Sequence, residues 1–363
     1  MITPILLEKL NWTALSCHDR ALAIAAENLR PNSGVCFALF RMLGSDRFER
    51  YTEMRVGDDQ YYAFLSQMTG IRIVRHFVDA DNFSSCIQDH LNQGHLLVCA
   101  TDNMYNPQSN YFGIKSHMHF VVIGPGAQQG AVQCVDEDWS KQYWNPDNCK
   151  NGIQYISTMR SMEELSTLCL HMRGCDSFFR EEPTLKDRNV EYSVLYSLDT
   201  NQCNPLPVET IIRQYHTQLE DLLEHDVHHS QYLQNQYEVF YRNFDTMLDS
   251  MPQLTLETAS GLLKNDPHGL KKYVYYPAEL RCWLAHYQHL SAQYQIFVQQ
   301  KHPSAQELAQ ELAQILEKYS IVQNSIIVAV VQKQRMLLAH AYHLFMQLYQ
   351  MEVEISQRIL RLI

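Results

Sequence analysis

Two rhythms of apolar residues divide the chain. Up to about Asn204, short apolar runs alternate with stretches of helical periodicity, and beyond it the periodicity is helical throughout. The runs Leu96–Ala100, His119–Ile123 and Ala131–Val135 are rich in Val, Ile and Leu and bounded by Gly and Pro, which predicts buried strands. The segment IRIVRHFV, beginning at Ile71, alternates basic and apolar residues and predicts another strand. Its Arg72 and Arg75 suit a solvated strand face better than a phosphate contact. EYSVLYSL, ending at Leu198, alternates in the manner of an edge strand.

Helices are predicted between these strands. In SCHDRALAIAAENL, Ser16 is an N-cap candidate and Asp19 lies in the first turn. Apolar residues recur at helical spacing through Leu29 before Pro31, Asn32, Ser33 and Gly34 stop the helix. YYAFLSQMTG reads as a helix ended by Gly70, and FSSCIQDHLNQG as one ended by Gly94. ISTMRSMEELSTLCLHMRG predicts a helix entered at Ser161, because Ser161-Met-Glu-Glu is a capping-box pattern. DTNQCNPLP is the best linker in the chain and places a domain boundary near Asn204. The region that follows is almost unbroken by Gly or Pro at first, resumes at Pro277 with a plausible first helical position, and continues through SAQELAQELAQILEKY to Ile363. The expectation is an α+β domain over 1–204 and an antiparallel helical bundle over 205–363.

Composition narrows the function classes. With 46% hydrophobic and 19% charged residues the chain is globular rather than disordered. A formal charge of -11 argues against nucleic acid or an anionic membrane as main partner. No apolar run approaches the roughly 20 residues of a membrane span, and MITPILLEKLNW lacks the features of a secretory signal. A cytoplasmic chain is expected, its ten cysteines mainly reduced and buried. No C-x-x-C pair suggests a zinc knuckle or thioredoxin-type redox site.

Candidate chemistry lies at the strand ends. His119 opens one predicted strand and Asp136 closes the next, so antiparallel pairing brings imidazole and carboxylate together. A histidine oriented by a carboxylate is two thirds of a nucleophilic triad. Cys17 supplies the third member: it falls in the first turn of the first helix, where the helix dipole and unpaired amides favour a thiolate. Taken alone, one cysteine in ten is more often a small core residue. The order of Cys17, His119 and Asp136 favours the catalytic reading. Asn11, upstream, offers an amide to a developing oxyanion.

His117 lies on the loop before the strand and competes with His119 for the role of base. With His119 and Asp136 it also suggests zinc, but no further ligand has recognisable spacing, and no metal is expected. His225, His228 and His229 share a helix face that reads as solvated or interfacial rather than metal-binding. Tyr232, Tyr237 and Tyr241 mark either a bundle core or a homodimer surface.

These motifs carry a resemblance. A cysteine opening a long N-terminal helix after an amide residue, followed by HFVVIG and VQCVD strands, resembles the papain-like fold in its bacterial peptidase-type variants. The segments GHLLVCATDNMY, SHMHFVVIG and VQCVD resemble more particularly the N-terminal domain of the butirosin-type acyl-carrier-protein:aminoglycoside acyltransferases, over roughly residues 10–145. The resemblance implies a papain-like cysteine enzyme with Cys17 as nucleophile, His119 as general base and acid, and Asp136 orienting His119. It implies no intrinsic cofactor: the acyl group arrives on the phosphopantetheine arm of an acyl or peptidyl carrier protein and passes to a small amine, in natural-product biosynthesis. Asn11 stands where those peptidases have Gln, a departure that bears on the oxyanion donor.

Three function classes follow. The triad serves an amide-forming acyltransferase, or a peptidase or thioesterase if water is the acceptor. A catalytically silent interaction protein would instead use its helical region as the working surface. For the transferase, the helical region is expected to roof the Cys17 cleft and share in acceptor recognition.

Overall fold

The structure is a computed structural model and describes residues 17–34, 36–37, 59–109, 111–114, 116–127, 130–138, 155–171, 191–207 and 303–362, with short stretches between 209 and 242. They fall into two compact units that divide at Ile211.

The first unit is α+β. Its elements are α1 (Cys17–Leu29), α2 (Asp59–Thr69), β1 (Arg72–Asp79), α3 (Phe83–Asn92), β2 (Leu96–Asp102), β3 (Met118–Pro125), β4 (Ala131–Glu137), β5 (Tyr155–Ser161), α4 (Met162–Cys169) and β6 (Tyr192–Asp199). The strands form one sheet in the order β1-β6-β2-β3-β4-β5, each paired antiparallel to its neighbours.

The middle of the sheet is covered on both faces, which is why β2 and β3 read as continuous apolar runs rather than alternating ones. Leu97, Cys99, Val121, Ile123, Cys134 and Leu195 build one core layer with Phe83 and Ile87 of α3 and Leu165, Leu168 and Cys169 of α4. Helix α1 packs on β2 and β3. Its first turn places His18 edge-on to Phe120 and Tyr196, with ring centroids 4.7 and 4.9 Å away. Ala21, Leu22, Ala23, Ile24, Ala25 and Ala26 are all buried. The small alanine side chains let this helix lie close against the sheet.

Two strands differ from the sequence expectation. β6 is an interior strand between β1 and β2, not an edge. Its alternating serines are buried yet satisfied: the Ser197 hydroxyl is 2.8 Å from His76 Nε2, and the Ser193 hydroxyl 3.6 Å from Cys99 Sγ. Polar residues that find partners inside imitate the solvated face of an edge strand. The true edge beside β4 is β5, a half-exposed strand that sequence periodicity merged with the following helix. The predicted capping box is present: the Ser161 side chain accepts from the Glu164 amide, and the Glu164 side chain accepts from the Ser161 amide.

Two glycines fix turns in this unit. Gly70 ends α2 with φ 70, and a Cβ there would lie 2.7 Å from Arg30 Nη1, which bonds the Thr69 carbonyl at 2.6 Å. A Cβ at Gly126 would collide with the Ala131 carbonyl, so the tight β3–β4 connection requires glycine.

In the second unit, α5 (Pro303–Gln332) and α6 (Arg335–Leu362) form a helical hairpin. Lys333, at φ 56, turns the chain, with the Gln334 amide bonded to the Ala329 carbonyl at 2.9 Å. Arg358 near the end of α6 pairs with Glu311 near the start of α5, so the two run antiparallel. Leu312, Ile315, Ile326, Leu338, Phe345 and Ile359 are among the buried residues of this pair. Tyr241 of the same unit lies under the Arg335 guanidinium, 5.3 Å from ring centroid to Cζ. Tyr232, Tyr237, His225, His228, His229 and Pro277 lie outside the described residues, as do Asn11 and Ser16. None of the helices among the described residues is long and apolar enough to cross a membrane.

Candidate functional site

The register of β3 and β4 sets the first pair. Val122 stands opposite Val135, so Asp136 follows on across from Val121 and becomes a diagonal neighbour of His119 on the same face. The result is a His119 Nε2···Asp136 Oδ1 contact of 2.8 Å between side chains that are 2% and 3% exposed. With Nε2 given to the carboxylate, Nδ1 is left for the third member. That member is Cys17, whose thiol and the His119 imidazole each shift the other's ionisation. Cys17 opens α1 and is half-buried, whereas Cys36, Cys99, Cys134 and Cys169 are buried.

The electrostatics favour an ion pair between thiolate and imidazolium. Burial pushes the Cys17 thiol up, but the hydrogen bond and charge of His119, with the Arg20 guanidinium adding to them, bring it below its ordinary value. Burial likewise works against a charged His119. The carboxylates of Asp136 and Glu137 and the hydrogen bonds to Asp136 and Cys17 outweigh it and hold the imidazole well above its ordinary value. Elsewhere burial prevails: joined by Glu27 and by Asp136, and against smaller opposition from Arg30 and Arg160, it pushes the thiols of Cys36 and Cys134 up to about 12. A depressed thiol value combined with partial exposure suits a nucleophile better than a packing residue.

Asp136 is itself fixed. Its Oδ1 also accepts the Glu137 amide at 2.6 Å, and its Oδ2 accepts from Asn106 Nδ2 at 3.3 Å. Asn106 is 1% exposed and reaches the site from the loop between β2 and β3. Asp102 ties that loop down: its carboxylate accepts from the Met104 amide at 3.0 Å, the His117 amide at 2.9 Å and the Ser116 hydroxyl.

His117 takes a different place from His119. Its ring stacks on Tyr111 at 4.2 Å, and its Nδ1 lies 3.4 Å from Asn103 Nδ2. It is therefore His119, not His117, that meets Asp136. No group of three or more His, Cys, Asp or Glu side chains arranged to hold a metal ion occurs among the described residues.

Sequence reasoning missed four residues around the triad: Arg20, Glu137, Asn106 and Asp102. Each had a local signal. Arg20 interrupts an otherwise small and apolar helix face one turn after Cys17, and Glu137 follows Asp136 in a run of three acids. Asp102 and Asn106 are short polar side chains of the type that build Asx turns between strands. Their partners, however, are set by tertiary structure and leave no periodic trace.

Compared with known proteins, the chain matches no protein-family model and no curated protein.

Proposed function

We propose that the protein is a cysteine-dependent acyltransferase with a papain-like catalytic unit, and that Cys17, His119 and Asp136 carry the reaction. The observation behind this reading is the Cys17–His119–Asp136 chain of contacts, with a half-buried sulfur at its outer end. Such an arrangement serves nucleophilic acyl chemistry. The choice of a carrier-bound thioester as donor and an amine as acceptor rests on the sequence resemblance.

In the proposed reaction the Cys17 thiolate attacks the carbonyl carbon of an acyl thioester on a phosphopantetheine arm. The bond from carbonyl carbon to donor sulfur breaks, and the His119 imidazolium gives its proton to the departing thiolate. The acyl group now rests on Cys17 as a thioester. When the acceptor amine attacks this carbonyl, neutral His119 takes a proton from its nitrogen, and Cys17 leaves as a thiolate. An amide is released and the ion pair is restored. Asp136 keeps Nε2 occupied throughout, so Nδ1 stays aimed at the sulfur. Asn11 remains the proposed oxyanion donor.

The acceptor is tested by charging the full-length protein with an acyl-pantetheine and chasing with either buffer or an aminoglycoside. The proposal predicts amide product and much faster loss of the acyl-enzyme with amine. Discharge at one rate in both chases, yielding only free acid, would make the protein a thioesterase or peptidase instead.

A further inference from the structure

Beside the Cys17–His119 pair lies a second pair of buried opposite charges. Arg20 follows Cys17 by one turn on α1 and is 8% exposed; its guanidinium pairs with the carboxylate of Glu137, which is 5% exposed. Consecutive strand residues point to opposite faces. Asp136 thus serves His119 on one face of β4, while Glu137 turns to Arg20 on the face covered by α1. Tyr155 stands across from Glu137 on β5, its phenol kept protonated by burial.

Resting on the proposed role of Cys17 and His119, we propose that the Arg20–Glu137 ion pair is a positioning device that keeps the shared proton on His119 and the negative charge on Cys17. The two pairs are set in opposition: Arg20 is one turn along α1 from Cys17, and Glu137 adjoins the residue that holds the imidazole. Each charge of the second pair therefore favours the opposite charge of the first. The charges act in that sense, Arg20 lowering the thiol and Glu137 raising the imidazole, with Glu137 opposing ionisation of the thiol to a smaller degree. A buried ion pair contributes little to stability on balance. Its presence beside a reactive thiol is accounted for by the charge state that it selects. Among the described residues, the ionisable groups gathered here include Cys17, His18, Asp19 and Arg20 from α1, His119 from β3, Asp136 and Glu137 from β4 with the buried Asp138 that follows them, and Tyr155 from β5.

The test is the pH profile of Cys17 alkylation by iodoacetamide in the full-length protein, read by peptide mass spectrometry. Exposed Cys203 provides the internal reference. In the wild type, the rate is expected to rise along an acid limb as the thiol ionises and to change again along an alkaline limb as His119 loses its proton. Arg20→Met should move the acid limb to higher pH, slowing alkylation on that limb about tenfold for each unit of displacement. Glu137→Gln should move the alkaline limb to lower pH, and Arg20→Lys, which keeps the charge, should restore the wild-type acid limb. If a single variant does not fold, Arg20→Met combined with Glu137→Leu removes both charges together and should bring the limbs closer. Folded variants whose profiles overlie the wild type, or that are slowed equally at every pH, overturn the inference. Alkylation involves no acyl donor, so the expected shifts in a protein that never forms an acyl-enzyme would leave this inference standing and remove the acyltransferase reading.

Discussion

At the scale of single residues, the site is a chain of orientation that runs inward from a half-buried sulfur. Asp136→Asn keeps the shape but offers His119 an amide in place of a carboxylate, and the imidazolium loses its counter-charge. The rate of acyl-enzyme formation is expected to fall by about two orders of magnitude or more. Stopped-flow or quenched-flow mass measurements check this, and a loss of less than twofold would deny Asp136 its role. Asn106→Ala removes the 3.3 Å contact to Asp136 Oδ2 and the 3.2 Å bond that Asn106 Oδ1 accepts from the Gln108 amide. A loss of roughly tenfold is expected, comparable to the removal of other orienting partners. Activity should also depend on pH in a fixed sense. Its acid limb lies below the ordinary thiol value because Cys17 ionises early, and its alkaline limb lies above the ordinary histidine value because Asp136 and Glu137 hold the His119 proton.

Among the elements, those with one dominant local cause were legible in the sequence. β2, β3 and β4 are apolar runs between glycine turns because they are covered on both faces, and the chain turns out of α3 at Gly94, where φ is 83. The Ser161 capping box placed the start of α4. That same strong signal hid β5, whose polar residues belong to an edge, while the satisfied serines of β6 hid an interior strand. Cys17, His119 and Asp136 could be singled out because helix start and strand ends are local features. Arg20, Glu137, Asn106 and Asp102 could not, since their roles come from contacts between distant segments. Two local changes test the element scale by thermal or denaturant unfolding. Ser161→Ala should cost about 1 kcal/mol by removing the cap. Gly126→Ala should destabilise by more, because its Cβ would meet the Ala131 carbonyl and force the β3–β4 turn open. A larger cost at Ser161 than at Gly126 would contradict this account of the turn.

On the scale of the whole molecule, the six-stranded sheet and the α5–α6 hairpin belong to separate compact units, each with buried apolar residues of its own. A fragment of residues 1–211 is accordingly expected to fold cooperatively, and a broad non-cooperative melt by circular dichroism would show that the sheet unit is incomplete. Such a fragment would also reveal what the helical unit adds to acceptor choice. The central claim, however, is that Cys17 carries the acyl group, and intact-mass analysis tests it most directly. Full-length protein incubated with an acyl-pantetheine should gain the mass of one acyl group, located on Cys17 by peptide fragmentation. Cys17→Ala, with the same thermal melt, should gain none. A wild-type protein that gains no mass, or a Cys17→Ala protein that is acylated as fully as the wild type, would contradict the account.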